Sequence, residues 1–198
     1  MTKKTLAFAS GSEHKRKEMQ MLLSPFGYEV VTPKTLGIKF QPEETETTFL
    51  GNSFIKSKEL FRLTGLPSFA DDSGISVDAL GGEPGVSSAR FGGPGLSDKE
   101  RALYLLTKLG NNSNRNAHYS CVVTYVDAHH NLSFEGTVNG QITTDYDEVG
   151  PYGFGYDPIF YYSEFGKRFS QVPEEEKNKV SHRKKAMELF LKWFHMIQ

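Results

Sequence analysis

The chain has 198 residues, 37% hydrophobic and 13% aromatic, which suits one domain with a buried core and excludes a disordered chain. Its 23 Lys and Arg against 24 Asp and Glu give a net charge of -1, which excludes sequence-independent binding to nucleic acid or membrane as the main activity. A lone cysteine, Cys121, excludes an internal disulfide and a Cys-rich zinc cluster. The short apolar stretch after Met1 is no signal peptide or membrane span, so the cytoplasm is the expected location.

Residues 5–9 read as a strand, followed by a Ser10-Gly11-Ser12 turn and a helix. Met19, Leu22, Leu23 and Phe26 fall at the spacing of one buried helix face, and Gly27 is the stop. The segment from Ser10 to Lys15 therefore sits where a strand passes into a helix N-terminus. Free N–H groups and the positive end of the dipole meet there, which suits an anion. His14 and Lys15 add cationic reach, although a solvated basic helix start gives the same pattern.

Residues 28–31 form the second predicted strand. An acid-rich connection with Glu43, Glu44 and Glu46 leads to a helix over 48–63, ended by Gly65, with Phe49, Phe54, Ile55, Leu60, Phe61 and Leu63 as its apolar side. Leu66, Phe69 and Ala70 predict a short buried strand, broken by Asp71-Asp72-Ser73-Gly74. Neighbouring side chains on a strand point to opposite faces, so the two acids meet one ligand only if the strand ends there. Carboxylates at such a strand end suit a hard divalent cation such as Mg2+, and the same residues also suit an ordinary polar turn.

Glycine pairs from Gly81 to Gly95 mark turns. Ser97 and Glu100 form a capping box ahead of a helix with Ala102, Leu105, Leu106 and Leu109 inward, closed by Gly110. Three strands follow, over 117–126, 132–138 and 141–144, the last two joined by a hairpin at Asn139-Gly140. His129 and His130 fall in the turn between the first two. Three glycines alternate with aromatics over 150–158, where the backbone can bend around a flat ligand or simply pack as an aromatic loop. A strand over 159–162 and a helical turn at 173–177 come next. The terminal helix opens at Ser181 and carries Ala186, Leu189, Phe190, Trp193, Phe194 and Ile197 inward. Lys177, His182 and Arg183 gather near its start.

Four segments, in this order, resemble one family, the inosine triphosphate pyrophosphatases. They are Ser10-Gly11-Ser12-Glu13-His14-Lys15, Phe69 to Gly74 continuing through Gly81 to Arg90, Gly153-Phe154-Gly155-Tyr156-Asp157-Pro158, and Glu175 to Arg183. The resemblance implies an α/β fold: an elongated mixed β-sheet flanked by helices, one domain with two lobes and a central cleft. It implies a Mg2+-dependent homodimer that hydrolyses inosine and xanthosine triphosphates, ribo or deoxy, to the monophosphate and pyrophosphate.

Carried onto this sequence, the resemblance makes Asp72 the metal-holding acid that activates water, with Asp71 beside it. Ser10, Gly11, Ser12, Glu13, His14 and Lys15 would hold the phosphates, and Ser73 would touch the nucleotide. Phe154, Gly155, Tyr156 and Asp157 would line the base and sugar pocket, Phe154 stacking on the base. Lys177, His182 and Arg183 would read its 6-keto oxygen. The chain departs from the family pattern at Gly51, where a metal-binding Glu is expected, so that Asp71, Glu43, Glu44, Glu46 or waters complete the metal shell or metal affinity falls; it departs also at Ser12 in place of Asn and at Ser87 in place of an aromatic. An aspartyl phosphatase, which expects Asp-x-Asp then Thr, fits poorly. A nucleotide-binding protein impaired in catalysis by Gly51 is the alternative.

Overall fold

The computed structural model describes residues 4–196, with the side chains of His14 and Glu18 outside the described set. The strands are β1 (Lys4–Phe8), β2 (Tyr28–Val31), β3 (Ser68–Val77), β4 (Asn116–Val126), β5 (Asn131–Ile142), β6 (Phe160–Tyr162) and β7 (Lys167–Arg168). The helices are α1 (Glu13–Leu23), α2 (Phe49–Thr64), α3 (Asp98–Leu109), α4 (Glu174–Val180) and α5 (His182–Met196). The strands make one mixed sheet in the order β2-β1-β3-β4-β5-β6-β7. β1 pairs in parallel with β2 and β3, whereas β6 is antiparallel to β5 and β7. Among the described residues no helix is long and apolar enough to cross a membrane.

The chain divides into two compact units, Met1–Asp72 with Val122–Phe134 and Ser73–Cys121 with Glu135–Gln198. The first has a small core cluster of Ala7, Ala9, Leu60 and Ala70, and Phe8 stacks on Phe69 at 4.7 Å between ring centres. The second holds a larger cluster that includes Ile75, Leu105, Tyr119, Phe160 and Phe169. The Ser97–Glu100 capping box forms as expected at the start of α3.

Several expectations need correction. β3 does not break after Ala70 but runs on through Asp71, Asp72, Ser73 and Gly74 to Val77. The predicted hairpin at Asn139-Gly140 is absent, because β5 continues through both residues. Gly140 is there for space: a Cβ would lie 2.5 Å from the Phe160 ring and 2.6 Å from the Tyr161 carbonyl on β6. In α2 the buried residues are Asn52, Ser53, Ser57 and Leu60, so of the apolar set only Leu60 is fully inside. Phe26 and Leu189 are exposed, Met187 is buried on α5 instead, and Ile197 lies outside the described residues.

Candidate functional site

In the first unit, β1 hands over to α1 through residues 9–12. The Ser12 hydroxyl caps α1 by accepting the Lys15 N–H at 3.3 Å, and the Ser10 hydroxyl accepts the Ser12 N–H at 3.2 Å. Around Gly11 the space is open. Glu13 is held by Arg16 at 2.5 Å, and that hydrogen bond keeps its carboxyl below the ordinary range. The Lys15 ammonium meets both Asp71 oxygens, at 2.7 and 3.0 Å. The side chain of His14 lies outside the described residues.

Because β3 stays extended, Asp71 and Asp72 project to opposite faces. Asp71 is buried against Lys15 from α1. Asp72 meets Lys56 from α2, at 3.3 Å, and the same ammonium lies 3.4 Å from Glu44. The Asp72 Oδ2 is buried and has no hydrogen-bond partner among the described residues. Burial pushes the Asp72 carboxyl up. Lys56 draws it back, while Glu44 and Asp71 push it further up.

Glu44 was one of several acids that could stand in for the missing Glu at Gly51, whereas Lys56 was absent from the candidates read in the sequence. The signal was the polar set Asn52, Ser53, Lys56 and Ser57, at the spacing of one helix face, passed over in favour of the apolar residues. Ser53 and Ser57 bond Thr124 at 2.9 and 2.8 Å, and Ser53 also donates to the Ala70 carbonyl. These bonds seat α2 with Lys56 over Asp72.

Gly51 has its own explanation. A Cβ there would lie 2.5 Å from the Cβ and 2.6 Å from the Cγ of Glu46, whose backbone exchanges two hydrogen bonds with the Asn52 amide at 3.0 and 3.1 Å. At ~100° per residue, position 51 also points roughly 140° away from Lys56. The acid found near Asp72 is instead Glu44, from the loop.

Among the described residues no three His, Cys, Asp or Glu side chains are grouped to hold a metal ion. Asp72 and Glu44 nevertheless present oxygen donors around one charge, and a buried carboxylate oxygen without a partner is what a hard cation would satisfy. The donor set fits such an ion.

The second unit contains a cavity of about 200 Å³ lined by all eight candidates from Ser73 onward. Asp157 is its anchor. This 2%-exposed carboxylate accepts from the Phe154 N–H at 2.9 Å, the Tyr119 hydroxyl at 3.3 Å and the Lys177 ammonium. Both oxygens are thus committed inside the protein. The Lys177 ammonium lies over the Phe154 ring at 4.9 Å, and His182 stacks on Tyr119 at 5.0 Å. Arg183 reaches Ser73 at 3.4 Å, and the Tyr156 hydroxyl donates to the Ser88 carbonyl. Phe154 is 64% exposed, its ring largely open to solvent even with Lys177 over it. Tyr119, Asp98 and Arg101 also line the cavity and were missed; Asp98 sits in a capping box, which hid its contact with the Gly155 N–H at 3.0 Å.

The sequence profile of the Ham1 family matches residues 6–193. The chain is 83% identical over its whole length to a dITP/XTP pyrophosphatase of Leptospira biflexa, of which it covers 100%. It is 54% identical, over 96% of this chain and 97% of the other, to one from Leptospira interrogans. Its fold matches the Staphylococcus aureus Ham1 protein with a TM-score of 0.93 at 35% identity, covering 98% of this chain and 100% of that one. The resemblance carried by the four segments therefore holds, and the chain belongs to the Ham1 family.

Proposed function

We propose that the protein hydrolyses inosine and xanthosine triphosphates, ribo or deoxy, to the nucleoside monophosphate and pyrophosphate, with Mg2+ as its cofactor. The observation that carries the reading is Asp72, a half-buried carboxylate whose buried Oδ2 has no partner among the described residues, beside an ammonium. The names of the relatives support the substrate class.

Asp72 and Glu44 would hold the cation, which when bound would neutralise phosphate charge and favour attack by water. Asp72 orients that water and accepts its proton as the oxygen joins the innermost phosphorus. The bond to the pyrophosphate leaving group breaks in the same displacement. Lys56 and Lys15 supply positive charge to the phosphates, near the open space around Gly11 and the start of α1.

In the second unit Phe154 stacks on the base, while Lys177 and Arg183 donate toward a 6-keto oxygen, with His182 beside them. An adenine 6-amino group leaves such donors unpaired, at about 1–3 kcal/mol each. Asp157 acts here by fixing Lys177 and Phe154. A homodimer in the cytoplasm completes the reading, and sedimentation checks the dimer.

Turnover of inosine triphosphate in oxygen-18 water, with Mg2+, tests it. Label in the monophosphate and release of pyrophosphate are expected. Release of orthophosphate, or equal turnover of adenosine triphosphate, overturns it. Tight binding without turnover would support the impaired binder.

A further inference from the structure

The aromatic loop that carries Phe154 is packed at Tyr156, but its start has little packing of its own, since Tyr152 is 44% and Phe154 64% exposed. Its position is set through the backbone. The Asp147 Oδ1 accepts the N–H groups of Val149 and Gly150, both at 3.1 Å, and its Oδ2 accepts the Ser170 hydroxyl at 2.6 Å. The Ser170 carbonyl in turn accepts the Tyr152 N–H at 3.0 Å. Ser170 is fully buried and follows Phe169, whose ring packs with Tyr119, Phe160 and Tyr162 in the core. At Gly150 a Cβ would lie 2.4 Å from the Asp147 Oδ2 and 2.7 Å from Ser170, so the loop lies against this pair with no room to spare.

We propose that Asp147 and Ser170 are positioning residues for base recognition, a latch that ties the start of the aromatic loop to the core and so fixes where Phe154 meets the purine. This rests on the cavity taking the base, as argued above. Neither residue is among those lining the cavity. Their effect reaches the base through three residues: Tyr152, held by Ser170; Gly153, at φ +80°; and Phe154, whose N–H is held by Asp157. The Asp147 carboxyl stays below its usual range, first because of the Ser170 hydrogen bond and then through the two backbone N–H groups, so the latch is closed at neutral pH.

Calorimetric binding of inosine monophosphate, which needs no turnover, is the direct test. Asp147→Ala and Ser170→Ala are expected to weaken binding about tenfold, the worth of one or two well-made hydrogen bonds. They should also speed amide exchange over residues 149–154. Asp147→Asn keeps an acceptor for the two N–H groups, and the Ser170 hydroxyl can turn to accept from its amide, so near wild-type affinity is expected. In turnover of inosine triphosphate the alanine variants should raise KM and leave kcat near its wild-type value.

A lowered melting temperature with unchanged affinity and KM reduces the pair to a structural role and overturns the proposal. Equal losses in Asp147→Asn and Asp147→Ala overturn it as well. A wild type that binds the monophosphate but releases no pyrophosphate sinks the hydrolase reading and leaves the latch to be judged by binding. A wild type that binds no purine nucleotide sinks both.

Discussion

Two aspartates with buried carboxylate oxygens are treated in opposite ways. Asp157 has both oxygens engaged by an ammonium, a phenol and a backbone N–H. Asp72 sits under cover with one oxygen unsatisfied, its carboxyl pushed up by burial and by Glu44. A buried polar atom without a partner costs about 1–3 kcal/mol, so Asp72 weakens the fold it belongs to. Asp157 is a finished piece of architecture, holding part of the cavity wall in place. Asp72 is an unfinished one, and function is where local stability is given up.

The sharpest way to break this contrast is to neutralise each acid's environment in turn. Asp72→Asn should lower kcat/KM roughly a thousandfold, as expected for loss of a group that handles the proton of the attacking water. It should also raise the melting temperature of the cation-free protein, because it removes a partly buried charge that Lys56 satisfies only at one oxygen. A fall in melting temperature would mean that Asp72 is structural. Lys177→Met is the counterpart. It leaves Asp157 buried without its cation and is expected to cost about 3 kcal/mol of stability by urea unfolding. A cost near zero would mean that Asp157 is held by Tyr119 and Phe154 alone.

The contrast was only half legible in the sequence. Helix caps and stops were readable because they depend on a few local residues: the Ser97 box, and Gly65 in the left-handed conformation at φ +67°. Phe154, Lys177 and His182 were found as candidates because whole segments resembled a family, but nothing local said that Asp157 would face inward. Adjacent acids beside Ser73-Gly74 looked like a turn, yet the strand continues, because tertiary pairing overrides local preference. That one error hid the division of labour between Asp71 and Asp72. Lys56 was missed for a related reason. The buried face of α2 is polar, and a search for apolar periodicity looks at the wrong side of such a helix.

That polar face gives a smaller test. Thr124→Val removes the hydroxyl shared by Ser53 and Ser57, both of which keep a backbone carbonyl to donate to. A loss of about 1 kcal/mol is expected in thermal unfolding. Because α2 carries Lys56, the variant should also loosen Lys56 over Asp72 and lower kcat more than that small destabilisation explains. An unchanged kcat would separate the seat of α2 from the chemistry.

The smallest effect isolates the electrostatics of Asp72 itself. Burial raises its carboxyl first, Lys56 opposes this, and Glu44 adds to it. A folded state that holds this proton more tightly than the unfolded chain loses stability as pH rises from the ordinary aspartate range to the raised one. Glu44→Gln removes one of the raising charges, so in the cation-free protein the carbon-13 titration of Asp72 should move to lower pH, and the window of lost stability should narrow. Lys56→Met should move it the other way, since the ammonium favours the charged form. An Asp72 titration that ignores both substitutions would mean that burial alone sets the acid, and that the loop carrying Glu44 has no part in tuning it.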